Sequence, residues 1–177
     1  TFRLTHLTTR RTSDNKALQK LAYVYDAVGN ITHIHDEAQE TVYHRNAAIR
    51  PEHDYRYDAL YRLIEAAGRE NTTAPTPPPR KEGLWPQGAI PTNHEPRNYL
   101  QRYVYDSVGN FVRMEHDAGA NAQWTRHYTT QPDSNRLAST WYGSTPLEAV
   151  TYLHDAHGSM LNLNRVNLAP SVDPDED

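Results

Sequence analysis

Four aspartates, Asp26, Asp58, Asp106 and Asp155, recur in one local setting, each directly after a Tyr or His. Carboxylates are common general acids, bases and nucleophiles, but catalysis needs a nucleophile, base and orienter within reach, or two carboxylates held at a useful separation. All four occupy the same place in a repeated string. One structural role explains them together, whereas catalysis would leave most of them idle. No catalytic residue is therefore assigned, and the chain is expected not to be an enzyme.

Ten histidines raise the possibility of a metal centre. On a strand, His33 and His35 would share a face, next to Asp36, which makes two plausible ligands. The sequence identifies no third. His154 and His157 flank a turn and offer no better set, so neither a metal site nor any other cofactor is expected. With every His protonated the formal charge would move from −4 to about +6, so acidification could loosen the fold or its contacts. Tyr23, Tyr25, Trp124 and Trp141 are candidates for stacking against sugar rings, which supports an alternative function as an aromatic-lined carbohydrate or cell-surface binding module.

The elements that must position these residues are hairpins. In "YVYDAVGNITHI" (23–34) Tyr23 and Tyr25 alternate with Val24 and Asp26 at the period of a strand, and alternation resumes at Ile31. Gly29 and Asn30 tolerate the positive φ of a tight connection, and Asp26 can fold its carboxylate onto backbone N–H groups ahead of it. A second copy keeps Tyr103, Tyr105, Asp106, Gly109 and Asn110. Two weaker copies follow the same plan. One has Tyr55, Tyr57 and Asp58, with Tyr61-Arg62 in place of Gly-Asn, so its turn is expected to use another geometry. The other has Tyr152, Asp155 and Gly158, with His154 in place of the second Tyr.

Strand-like pieces such as "ETVYHRN" and "AQWTRHYT" follow the hairpins, and the chain reads as an all-β antiparallel meander. The repeated Asp residues lie 32, 48 and 49 apart, which suits a wound strip of sheet better than a propeller of equal blades. Residues 1–70 form one set of hairpins and 99–163 another. Between them, 71–98 holds most of the Pro and is expected to be a loop or insertion, and 164–177 to be an acidic flexible tail.

Leu, Ile, Val and Phe make up only 30 of the 177 residues, below the roughly one-fifth expected of an ordinary globular core. Twelve Tyr and three Trp compensate with amphipathic bulk, so the core should be thin and rich in Tyr. Basic residues are outnumbered and dispersed, which argues against nucleic acid as a partner. No apolar stretch is long enough to span a bilayer and none resembles a signal peptide. The absence of Cys removes disulfides and thiolate metal sites.

The Tyr-x-Tyr-Asp-x-x-Gly-Asn units resemble the YD repeats of Rhs proteins, and the run from Tyr23 through Glu70 is similar to the Rhs-type region of insecticidal Tc toxin B and C components. "SNRLAST" (134–140) is similar to the Asn-Arg-Leu segments of that family, and the likeness covers roughly residues 1–163. The resemblance implies a β-sheet strip wound into a hollow shell around a toxic polypeptide, secreted as part of a toxin complex. Its partners would be neighbouring shell strands and the enclosed polypeptide. The family's autoproteolytic Asp-Pro-x-Gly segment has no match, because Asp173-Pro174 lacks the Gly-Leu that should follow. The expected role is a stretch of wall, neither cutting device nor cargo.

Overall fold

A computed structural model describes residues 2–44, 46–72, 95–146 and 149–161. Most of the Pro-rich segment (73–94) and the whole of the predicted acidic tail (164–177) lie outside the described residues. The two ends of the predicted 71–98 segment belong to strands, which reach Asn71 on one side and begin at Pro96 on the other.

The described residues form twelve strands and contain no helix. They are β1 (His6–Arg10), β2 (Ala17–Tyr25), β3 (Ile31–Asp36), β4 (Val42–His44), β5 (Ala47–Ile49) and β6 (Glu52–Tyr57), then β7 (Leu63–Asn71), β8 (Pro96–Tyr105), β9 (Phe111–Asp117), β10 (Gln123–Thr130), β11 (Leu137–Tyr142) and β12 (Val150–Thr151). Ten build one antiparallel sheet in chain order, β1-β2-β3-β6-β7-β8-β9-β10-β11-β12. The pair β4-β5 stands apart as a hairpin, reached through Arg69, which donates to the Glu40 carbonyl, and Asn98, which donates to the Ala48 carbonyl.

Cross-strand partners share a face, so the register sorts the side chains into two surfaces. One carries Tyr23, Ile34, His53, Gly68 and Tyr99 in one row and Tyr103, Met114, Arg126 and Tyr142 in another. We call it the tyrosine face. The other carries Val24, His33, Asp54, Ala67, Leu100 and Asp117, beside a charged row of Arg56, Glu65, Arg102 and Glu115.

The core is thin, as the composition requires of a single layer. Apolar residues below a tenth exposed are Ile49, Ala66, Ala122, Val150 and Tyr152. Aromatic contacts replace the missing aliphatic bulk. Phe111 packs on Tyr105 at 4.9 Å and on Tyr128 at 5.6 Å between ring centres, pairs that contribute roughly 0.5–1.5 kcal/mol each beyond their buried area.

Candidate functional site

The repeated turns are clamps centred on aspartate. Asp26 Oδ1 accepts from the N–H groups of Val28, Gly29 and Asn30 at 3.1, 2.7 and 2.8 Å, and its Oδ2 accepts from Asn30 Nδ2 at 2.8 Å. Asp106 repeats this with Val108, Gly109 and Asn110 at 3.0, 2.8 and 2.8 Å. Asp155 Oδ1 accepts from the Ser159 N–H at 2.8 Å, with Gly158 at φ 91°. Before each of the first three clamps the ladder shifts by one residue, at Tyr25, Tyr57 and Tyr105, a bulge that sharpens the local twist.

The copy at Asp58 corrects the expectation of a different turn. Asp58 forms the same clamp: it accepts from the N–H groups of Leu60 and Arg62 at 2.8 and 2.9 Å and from Arg62 Nε at 2.7 Å. Tyr61 takes the place of Gly29 in the left-handed region, at φ 62°, and the Arg62 guanidinium replaces the Asn amide. The bonds around the carboxylate outweigh the strain of a bulky residue at positive φ.

These bonds hold every clamp carboxyl below its ordinary pKa. At Asp26 desolvation opposes the shift, and the bonds from Asn30, Gly29 and Val28 overcome it. The Asn110 side chain is the main cause at Asp106, the Arg62 N–H at Asp58 and the Ser159 N–H at Asp155.

Three of the clamps are also held by an arginine from earlier in the chain, a device that was not read from the sequence. Arg3 donates to the Asp26 carbonyl at 3.0 Å, Arg62 to the Asp106 carbonyl at 3.2 Å, and Arg136 to the Asp155 carbonyl at 3.4 Å. Each of these arginines is followed by leucine: Arg3-Leu4, Arg62-Leu63 and Arg136-Leu137. The second tyrosine of the repeat then reaches back. Tyr25 Oη donates to the Leu4 carbonyl at 2.6 Å, Tyr57 to Ile31 at 2.8 Å and Tyr105 to Leu63 at 2.7 Å. The recurring Arg-Leu dipeptide was the available signal.

The first tyrosine of the repeat lies deeper in the tyrosine face. Tyr103 donates to Gln101 Oε1 at 2.7 Å, and burial pushes its hydroxyl up to about 12. Tyr55 is likewise raised by burial. Tyr152 is 2% exposed, with Oη 3.1 Å from Thr140 Oγ1.

Trp124 and Trp141 lie on opposite faces, so they form no shared platform. Each stacks on a histidine: Trp124 on His116 at 5.0 Å, Trp141 on His127 at 5.0 Å. His116, only 5% exposed, is also stacked on Tyr99, with Nδ1 3.2 Å from Gln101 Nε2 and Nε2 3.3 Å from Glu70 Oε2. A neutral ring protonated on Nε2 satisfies both contacts.

His33 and His35 do share a face, but Asp36 does not join them. Its Oδ1 is taken up by the backbone N–H groups of Lys20 and Ala38. The register brings Glu52 to His35 and Asp54 to His33 instead. Sequence inspection could not find these partners, because fifteen residues including the separate β4-β5 hairpin intervene between Asp36 and Glu52.

An open antiparallel meander whose hairpins close on Tyr-x-Tyr-Asp clamps defines a class, the YD-repeat sheet. No family model matches the chain. It is 38% identical over 148 residues to the toxin subunit YenC2 of Yersinia entomophaga, covering 81% of this chain, and 37% identical over 125 residues to YenC1, covering 70%. Among solved structures it is similar to TcdB2-TccC3 (TM-score 0.65, 30% identity, 90% of this chain) and to the Photorhabdus luminescens Tc holotoxin pore (TM-score 0.64, 30% identity, 89% of this chain). By sequence and by fold the chain is similar to the Rhs-type region of Tc toxin components. It spans 15% and 12% of the two Yersinia subunits and 8% of each of those solved chains.

Proposed function

We propose that this chain is a non-catalytic length of wall in a shell that encloses a toxin polypeptide, within a secreted bacterial toxin. The observation that carries the reading is the single open layer: ten strands follow one another in chain order, and most side chains on both faces are only half-buried. A layer of this kind completes itself by adding strands at its edges, not by folding over a core of its own. The Arg and Tyr clasps at the clamps keep such a strip in register as it lengthens.

The clamp carboxylates support a structural role. Asp26, Asp58 and Asp106 each commit both oxygens to their own turns, which leaves them poorly placed to attack a substrate or move its protons. The partners in this reading are flanking shell strands of the same or a neighbouring subunit, together with the enclosed polypeptide.

Electron microscopy of the full-length protein that carries this segment tests the proposal. A hollow particle with density inside, and this sheet in its wall, is the expected result. A compact particle with no cavity would overturn it.

A further inference from the structure

Among the described residues, the join between β3 and β6 is the one place in the main sheet where neighbouring strands are not consecutive in sequence, because β4 and β5 leave the sheet between them. It is held by three cross-strand pairs, His33 with Asp54, Ile34 with His53 and His35 with Glu52. Two of the three pairs place an imidazole opposite a carboxylate on the same face. One ligand atom from each of His33, His35 and Glu52 lies within 4.8 Å of the others, and all three residues are half-buried.

We propose that His33, His35 and Glu52 bind a divalent transition-metal ion of the zinc type, which ties β3 to β6. Two imidazoles and a carboxylate, with no thiolate, suit Zn2+ and its neighbours in the first transition row and are poorly matched to Ca2+ or Mg2+, which prefer shells of oxygen. Ligand atoms around tetrahedral zinc sit about 3.3 Å apart for bonds near 2.0–2.1 Å. The side chains therefore need to close by no more than about 1.5 Å on binding, a rotamer adjustment that half-buried groups can make.

Asp54 is the positioning residue. Its Oδ1 lies 2.8 Å from His33 Nδ1. An Nδ1–H donating to that carboxylate leaves the Nε2 lone pair of His33 for the metal, the usual arrangement behind a ligating histidine. His35 Nδ1 is 3.5 Å from Glu52 Oε1, so both are near a point that one ion could occupy. On β2 the neighbours are Ala22 and Val24, which add no competing cation.

The test is calorimetric titration of the 177-residue chain with ZnCl2, on the parent and on His33→Gln, His35→Gln, Glu52→Gln and Asp54→Asn, with His154→Gln as the control. Expected are one equivalent of bound zinc, loss of at least tenfold in affinity for each ligand variant, and a weaker site in Asp54→Asn by about 10- to 100-fold. The control should bind as the parent does. The parent's melting temperature should rise with zinc, and that of Glu52→Gln should not. Circular dichroism of each variant separates a lost ligand from a lost fold, and Glu52→Gln keeps the side chain's size should a histidine variant unfold. Zinc binding of unchanged strength in His35→Gln or Glu52→Gln would overturn the proposal, as would a folded parent that takes up no zinc.

Discussion

Arg62 holds two clamps at once: its Nε lies 2.7 Å from Asp58 Oδ2 in its own turn, and its Nη1 donates at 3.2 Å to the carbonyl of Asp106, forty-four residues away. The guanidinium also lies over the Tyr105 ring, 4.9 Å from its centre. A planar fork that bonds in two directions while stacking on an aromatic ring is something lysine cannot reproduce. Arg62→Ala should lower the melting temperature by at least about 2–4 °C, the scale of a modest destabilisation in a domain of this size, and Arg62→Lys should recover little of it. Thermal unfolding of the three proteins decides the matter. Full recovery in the lysine variant would reduce Arg62 to a point charge.

The fourth copy lacks one clasp. Where Tyr25, Tyr57 and Tyr105 donate to the backbone carbonyls of Leu4, Ile31 and Leu63, position 154 holds a histidine whose buried Nδ1 makes no hydrogen bond. Leu137 follows Arg136 as Leu4 follows Arg3, so its carbonyl is the counterpart acceptor. His154→Tyr should raise stability by about 1 kcal/mol, the net value of a typical hydrogen bond. Urea unfolding measures it, and an unchanged or lowered midpoint would mean that the clasp does not extend to this copy.

The hairpins were legible because each clamp is local. Asp26 meets its partners within four residues, and Gly29 and Asn30 announce the turn by type. Tyr61 defeated that logic. Nothing in a tyrosine signals positive φ, and the compensating bonds come from Asp58 and Arg62 acting together. The opposite faces of Trp124 and Trp141 follow from the register of β9, β10 and β11, which residue types alone do not specify. Glu52 was hidden for a different reason: its pairing with His35 depends on a hairpin leaving the sheet.

Acid should weaken the fold in two separate windows. Burial, reinforced by the charge of Arg69, holds His53 below its ordinary pKa. For a base whose folded pKa lies below the unfolded value, the contribution is intact above about pH 6.5 and is lost as pH falls through the folded pKa. The clamp carboxyls are also held low in the fold, so their contribution persists above about pH 4 and is lost as pH falls further. Urea midpoints at pH 7.5, 5.5 and 3.5 should fall in two steps, and His53→Gln should flatten the first while leaving the second. An identical first step in that variant would move the cause to another group.

Of the described glycines, Gly68 has the most closely crowding neighbours, and it lies on the tyrosine face. A Cβ built there would run into His53 Nδ1 and come within 3.1 Å of the Tyr99 hydroxyl. The backbone is an ordinary strand, so alanine is excluded by the neighbouring rings and not by φ. On the other side of Gly68, Tyr99 is stacked on His116, so it has little room to yield. Gly68→Ala should therefore cost about 1–3 kcal/mol, the usual penalty of an overpacked site. His53→Ala, which empties the space, should absorb most of that penalty when the two changes are combined. A double-mutant cycle by urea unfolding reads the coupling directly. Strictly additive effects would mean that the two positions do not compete for the same volume.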